Sequence, residues 1–141
     1  NEDVQAGTEG LAYAAERGIA VVIMEPLLGG ALASPPPAVR RVWDEAGASP
    51  VDVALRWLWH KPQVSVVLSG MSTREQVRQN LEIAARSGAG TLRQEELDLV
   101  ARVQEAYRNL DSIPCTKCPQ QIQISDWLSR VHERLLIREN G

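Results

Sequence analysis

The chain has 141 residues, 44% of them apolar, and a formal net charge of −3. That length fits one domain, and the composition provides for a core. The acidic balance argues against a nucleic-acid surface, which calls for clustered Lys and Arg; no apolar run approaches the roughly 20 residues of a membrane span, and no basic region followed by an apolar core opens the chain.

The chain therefore reads as soluble and cytoplasmic, and a start at Asn1 without Met reads as a fragment or a processed product. Residues 4–17 have a helical pattern, with Leu11, Ala14 and Ala15 on one face and Gly18 as the stop. Residues 19–24 are a short β-branched apolar run, which suits a strand covered on both faces. Glu25-Pro26 ends it, 27–33 is a glycine-bearing loop, and 39–46 predicts a short helix. Ser49-Pro50 is a helix start, Ser as cap and Pro in the first turn, with Val51, Ala54, Leu55 and Leu58 at helical spacing. Lys61-Pro62 stops that helix, and 64–68 predicts the second strand.

Ser72 and Glu75 form a capping-box pattern opening a helix that buries Val77, Leu81, Ala84 and Ala85. Gly88-Ala89-Gly90 is a break, and Thr91-x-x-Gln94 is a second capping-box pattern for a helix to about Tyr107. Residues 109–123 form a loop holding both cysteines, and Ser125 caps a last helix on which Leu128, Val131 and Leu135 share a face. Strands alternating with helices predict parallel βαβ units. The long helical connection between the two strands suits a right-handed crossover.

The run Val64-Ser65-Val66-Val67-Leu68-Ser69-Gly70-Met71-Ser72-Thr73 carries the most chemistry. It is a buried strand, a small-residue turn and a capped helix start. N–H groups in a helix's first turn have no intrahelical partner, and the dipole favours an anion there. Gln79 and Asn80 lie one to two turns on, where they can hydrogen-bond a base. Glu25-Pro26-Leu27-Leu28-Gly29-Gly30 places glycines after the first strand, allowing backbone to approach a ligand. Taken locally, each segment reads first as an ordinary βα turn.

Together these segments resemble the aldo/keto reductase family. Residues 18–27, Gly-Ile-Ala-Val-Val-Ile-Met-Glu-Pro-Leu, look like that family's seventh barrel strand with its Pro-Leu exit, and 64–70 look like the eighth. Gln76 and Asn80 look like its closing Gln-x-x-x-Asn signature. The resemblance implies an α/β fold, the C-terminal part of a (β/α)8 TIM barrel with its last two strands, over residues 1–110, followed by a tail over 111–141. It implies NADP or NAD at the C-terminal ends of the strands. Leu27 and Gly29 would border the diphosphate and ribose; Gly70, Met71, Ser72 and Thr73 would hold the phosphate end, with Gln76, Gln79 and Asn80 near the adenosine. Gly70 and Gln76 stand where many NADP-selective members carry basic side chains, with Arg74 and Arg78 as neighbours, so the choice between the two cofactors stays open.

The family's Asp-Tyr-Lys-His group belongs to the other half of the barrel. Tyr13 and Tyr107 fall in helical patterns, so no catalytic residue is assigned. The chain would then be the cofactor-binding portion of an NAD(P)-dependent oxidoreductase, completed by the missing N-terminal barrel half or by another copy. The alternative is an inactive remnant that binds a nucleotide or a partner chain.

Cys115-Thr116-Lys117-Cys118-Pro119 is ambiguous between metal, redox and chance. The tail resembles that of an iron–sulfur subgroup of the same family, whose 4Fe-4S clusters need four thiolates. Only Cys115 and Cys118 are present, as if roughly seven residues of the ferredoxin spacing were lost. A vestigial site, two chains sharing a cluster in an electron-transfer module, and a dithiol or adventitious zinc all remain open. Trp43, Trp57, Trp59 and Trp127 read as packing residues, with ligand stacking as the alternative. His60 reads as a surface cation at a helix end, and His132 as a surface residue.

Overall fold

A computed structural model describes residues 7–110. The chain divides at Ala106 and Tyr107 into two units; the first holds nearly all of the described residues. Its elements, in order, are α1 (Gly7–Glu16), β1 (Val21–Ile23), α2 (Pro37–Ala46), α3 (Pro50–His60), β2 (Val64–Val67), α4 (Arg74–Ala85) and α5 (Gln94–Arg108). The architecture is α/β with two parallel strands and five helices among the described residues, consistent with a partial barrel. The segment around Cys115, Cys118, Trp127 and His132 lies outside the described residues.

The helix ends follow from local chemistry. Beyond α1, Gly18 N–H donates to Ala15 C=O and Ile19 N–H to Ala14 C=O. Beyond α2, Ala48 N–H donates to Trp43 C=O and Gly47 N–H to Asp44 C=O. Both are Schellman-type ends, and each needs a left-handed residue, supplied by Gly18 at φ +64° and Gly47 at φ +59°. Helix α3 starts as its sequence predicts: Ser49 Oγ accepts from Asp52 N–H, and Pro50 fills the first turn.

Two predicted caps are corrected. The cap of α4 is Thr73, whose Oγ1 accepts from Gln76 N–H while the Gln76 side chain reaches back, so the box is Thr73–Gln76 in place of Ser72–Glu75. At α5 the Thr91 hydroxyl donates to Gly88 C=O, and Glu96 accepts from Arg93 N–H. In both cases the helix starts later than the first Ser or Thr of the pattern, because a residue further on also offers the reciprocal side chain.

Strands β1 and β2 pair in parallel with Val21 opposite Val64, Val22 opposite Val66 and Ile23 opposite Val67. The skipped residue is Ser65, whose Oγ accepts from Val21 N–H and keeps that donor satisfied across the irregularity. Leu68 N–H donates to Ile23 C=O at 2.9 Å, so the two strands end level. Parallel strands that end level send both exit loops to the same end of the sheet, which is how residues some 45 positions apart come to share one edge.

The core is helical. Val39 and Trp43 of α2, Val53 and Leu55 of α3, Ile83 of α4, Leu92, and Leu99 and Val103 of α5 are buried, and neither strand contributes a buried residue. The expectation of strands covered on both faces is therefore corrected: Val22 is 50% exposed, and Met24, Val66 and Leu68 are exposed as well. The apolar stripe of α4 is also largely uncovered, with Leu81 64% exposed and Ile83 its buried residue. Along α3, Val51, Ala54 and Leu58 are half-buried. A two-stranded sheet has too few neighbours to cover the apolar surfaces that the sequence encodes.

His60 departs from its expected role. It is half-buried, Leu92 N–H donates to its Nδ1 at 3.1 Å, and Gly90 N–H donates to its carbonyl. It pins the turn before α5 as a hydrogen-bond acceptor. Trp57 and Trp59 are half-buried, and Lys61 Nζ lies 4.3 Å from the Trp57 ring centre.

Candidate functional site

Two loops leave the same C-terminal edge of the β1–β2 pair. The β1 exit turns sharply through Glu25 at φ +52°, Leu28 at +50° and Gly29 at +61°. Left-handed conformations at Glu25 and Leu28 are strained for residues with a Cβ. They persist because the loop is tied to itself: Leu28 N–H donates to Glu25 C=O, and Leu27 C=O accepts from both Gly30 and Leu32 N–H. Leu27 is half-buried, and Gly29 presents its backbone to solvent with no atom within 4 Å of where a Cβ would stand.

The β2 exit carries the remaining sequence-predicted site residues. Gly70, Met71, Ser72 and Thr73 are exposed, and Ser69 is half-buried. Asn80 Nδ2 donates to Ser69 Oγ at 3.0 Å, tying the strand end to the second turn of α4. Gln76 Oε1 accepts three hydrogen bonds: from Ser72 N–H at 2.8 Å, Thr73 N–H at 3.2 Å and the Ser72 hydroxyl at 3.2 Å. The backbone N–H groups of Ser72 and Thr73 thus point at one spot, as in the concave nests that bind anions. Arg78 is paired with Glu75 at 2.8 and 3.0 Å. Arg74 and Gln79 are exposed.

The structure thus joins Gly70–Asn80 into one hydrogen-bonded corner and sets Leu27 and Gly29 on the same sheet edge. It places Gln76 and Asn80 in hydrogen bonds that shape the corner, where the sequence reading expects Asn80 to face a base and the family resemblance expects Gln76 near the adenosine. Ser69 belongs to the small-residue turn that the sequence already marks; its pairing with Asn80, eleven positions away, forms only once strand and helix fold together. The exit loops, residues 24–36 and 68–73, hold one titratable side chain, Glu25. Tyr13 lies on α1 with the Arg17 guanidinium 3.5 Å over its ring.

A second concave region, a cavity of about 480 Å³, lies against α3, the end of α4 and the start of α5. Twelve residues of α4 put roughly 18 Å between it and the corner. Several of its charges are paired. Arg56 makes a two-pronged pair with Glu96, their side chains 13% and 14% exposed, and Arg86 pairs with Asp52 at 3.0 Å. The hydrogen bonds from Arg56, joined by that from Arg93 N–H, hold the Glu96 carboxyl at about 2 against the opposing effect of burial. Such pairing marks a clamp between α3 and α5.

Among the described residues no group of three or more His, Cys, Asp or Glu side chains is placed to hold a metal ion, and no helix is long and apolar enough to cross a membrane. A comparison with curated proteins finds no match. A family model described as the aldo/keto reductase family matches residues 5–105, a span that includes both strands, both exit loops and the whole corner. Members of that family are (β/α)8 barrels that generally bind NAD(P), in keeping with two parallel strands whose exit loops share one edge. The chain belongs to the aldo/keto reductase family.

Proposed function

We propose that the chain supplies the dinucleotide-binding end of an NAD(P)-dependent oxidoreductase, and that its Gly70–Thr73 corner receives the cofactor's phosphate end. The observation that carries this reading is the convergence of the Ser72 and Thr73 N–H groups and the Ser72 hydroxyl on a single oxygen position. Three donors aimed at one acceptor at a helix start fit a phosphate oxygen. Leu27 and the open backbone at Gly29 border the same edge and give the diphosphate and ribose a flank.

When bound, the nicotinamide supplies hydride transfer to or from a carbonyl carbon. The residues of this chain bind and orient; the exit loops offer no Tyr, Lys or His to move a proton. The proton donor and the rest of the pocket then come from further barrel strands, either the N-terminal half or another copy. The uncovered apolar residues Val22, Met24, Val66 and Leu68 support such a neighbour. The paired cysteines, Cys115 and Cys118, are left out of this mechanism.

Calorimetric titration of NADP⁺ and of NAD⁺ into the 141-residue chain tests the reading. Saturable binding of either is expected, and comparison of the two resolves the cofactor preference. Absence of heat from both up to millimolar concentration would sink the proposal.

A further inference from the structure

We propose that the cavity against α3, the end of α4 and the start of α5 is a binding site for a small hydroxylated dicarboxylate. It lies apart from the Gly70–Thr73 corner and stands independently of the cofactor reading. Its volume of about 480 Å³ is that of a small-molecule site. Four arginines and three carboxylates line it. Asp52, Arg56 and Glu96 form the floor, with side chains 22%, 13% and 14% exposed. The rim is more open: the Arg86 side chain is 54% exposed, that of Arg93 77%, and Arg102 and Glu95 are exposed as well. Glu96 already holds Arg56 with both oxygens, so Arg93 Nε reaches it only at 3.5 Å. Among the described residues Arg102 and Glu95 form no ion pair. The rim thus presents three cations against one anion, and a dianion bridging its guanidinium groups answers that surplus.

The floor adds a second, separate requirement. Arg56 Nε and Asp52 Oδ1 are closed to solvent and have no hydrogen-bond partner among the described residues. Folded chains rarely leave such groups unpaired, because water satisfies both in the unfolded chain. The two residues stand four positions apart on α3, hence on one face of the helix, and the two atoms do not bond to each other. One hydroxyl accepts from Nε–H and donates to Oδ1, so a single group satisfies both. A dicarboxylate with a hydroxyl on its chain meets the rim and the floor together. Its entry parts the Arg86–Asp52 pair, the more exposed of the two floor contacts, and Arg86 turns to the arriving carboxylate. The Arg56–Glu96 clamp stays closed.

Malate and succinate, which differ by one hydroxyl, are the probes, titrated calorimetrically into the whole chain at constant ionic strength. Malate should bind saturably and about fivefold more tightly than succinate, the scale of one hydrogen-bonding group. The Arg56 Nε–H resonance should shift with malate and hold its place with succinate. Arg102→Gln removes an exposed cation that the clamp does not use, and should weaken both probes about fivefold. Arg41→Gln removes the same charge from an exposed position on α2 outside the cavity lining, and should change neither. Equal affinity for malate and succinate would mean that water alone answers the two buried atoms, and would overturn the proposal. Equal weakening by Arg41→Gln and Arg102→Gln would do the same, since it marks diffuse attraction, as would an absence of malate binding at millimolar concentration. None of these outcomes turns on whether NADP⁺ or NAD⁺ binds.

Discussion

Glu96 shows how much one carboxylate does in a small core. Its side chain is mostly buried, it accepts from the Arg56 guanidinium and from Arg93 N–H, and its pKa is lowered from 4.5 to about 2. A carboxyl whose folded pKa is depressed adds stability above its unfolded value and loses it as pH falls through the folded one. The contribution should be whole above pH 4.5 and vanish towards pH 2. Its size is on the order of 2–3 kcal/mol, allowing for partial solvent access. Urea unfolding of wild type and Glu96→Gln across that window should give midpoints that differ at pH 6 and converge near pH 2; a pH-independent difference would mean the pair acts through shape alone. Gly18 gives a purely conformational case, since no atom lies within 4 Å of where a Cβ would stand and its φ is +64°. Gly18→Ala should cost about 1 kcal/mol, from the left-handed backbone alone.

At the scale of elements, most of the chain's order is legible in its sequence. The Ser49-Pro50 start, the Gly18 stop and the two β-branched runs each have a local cause, and each stands where local chemistry puts it. The α4 cap is different, because Ser72 and Thr73 both offer hydroxyls and both have an acceptor three positions on. Thr73 caps, since Gln76 can answer Thr73 N–H while the Thr73 hydroxyl takes Gln76 N–H. Thr73→Ala should therefore lower stability by about 1 kcal/mol and Ser72→Ala by distinctly less. Thermal midpoints of the two variants would settle the order, and a larger loss for Ser72→Ala would return the cap to the sequence-based position. Burial was harder to read than helix position. The stripe of Val77 and Leu81 is periodic, yet periodicity reports only that a face is apolar, and cover depends on a partner element.

For the molecule as a whole, the site and the uncovered surface have one origin. A parallel pair creates a shared C-terminal edge, so the Leu27–Gly29 loop and the Gly70–Thr73 corner come together from the pairing of β1 and β2 alone. Spacing in the sequence indicates both loops; the Gln76 and Asn80 hydrogen bonds follow only from how the corner folds. The same pair leaves Val22 and Met24 of the first run, and Val66 and Leu68 of the second, facing solvent. A pair of strands is marginal by itself, and large exposed apolar patches mark interfaces. The described core lies among the helices, so the sheet edge that bears the proposed site is held by little packing. The chain alone should accordingly show a broad thermal transition whose midpoint rises with protein concentration, and hydrogen exchange at Val22, Ile23, Val66 and Val67 should run faster than at Leu55, Leu99 and Val103. A sharp, concentration-independent transition in a dilute monomer, with strand amides as protected as those of α3 and α5, would show that the two strands need no neighbour. The proposed dependence of the site on further barrel strands would then fall with it.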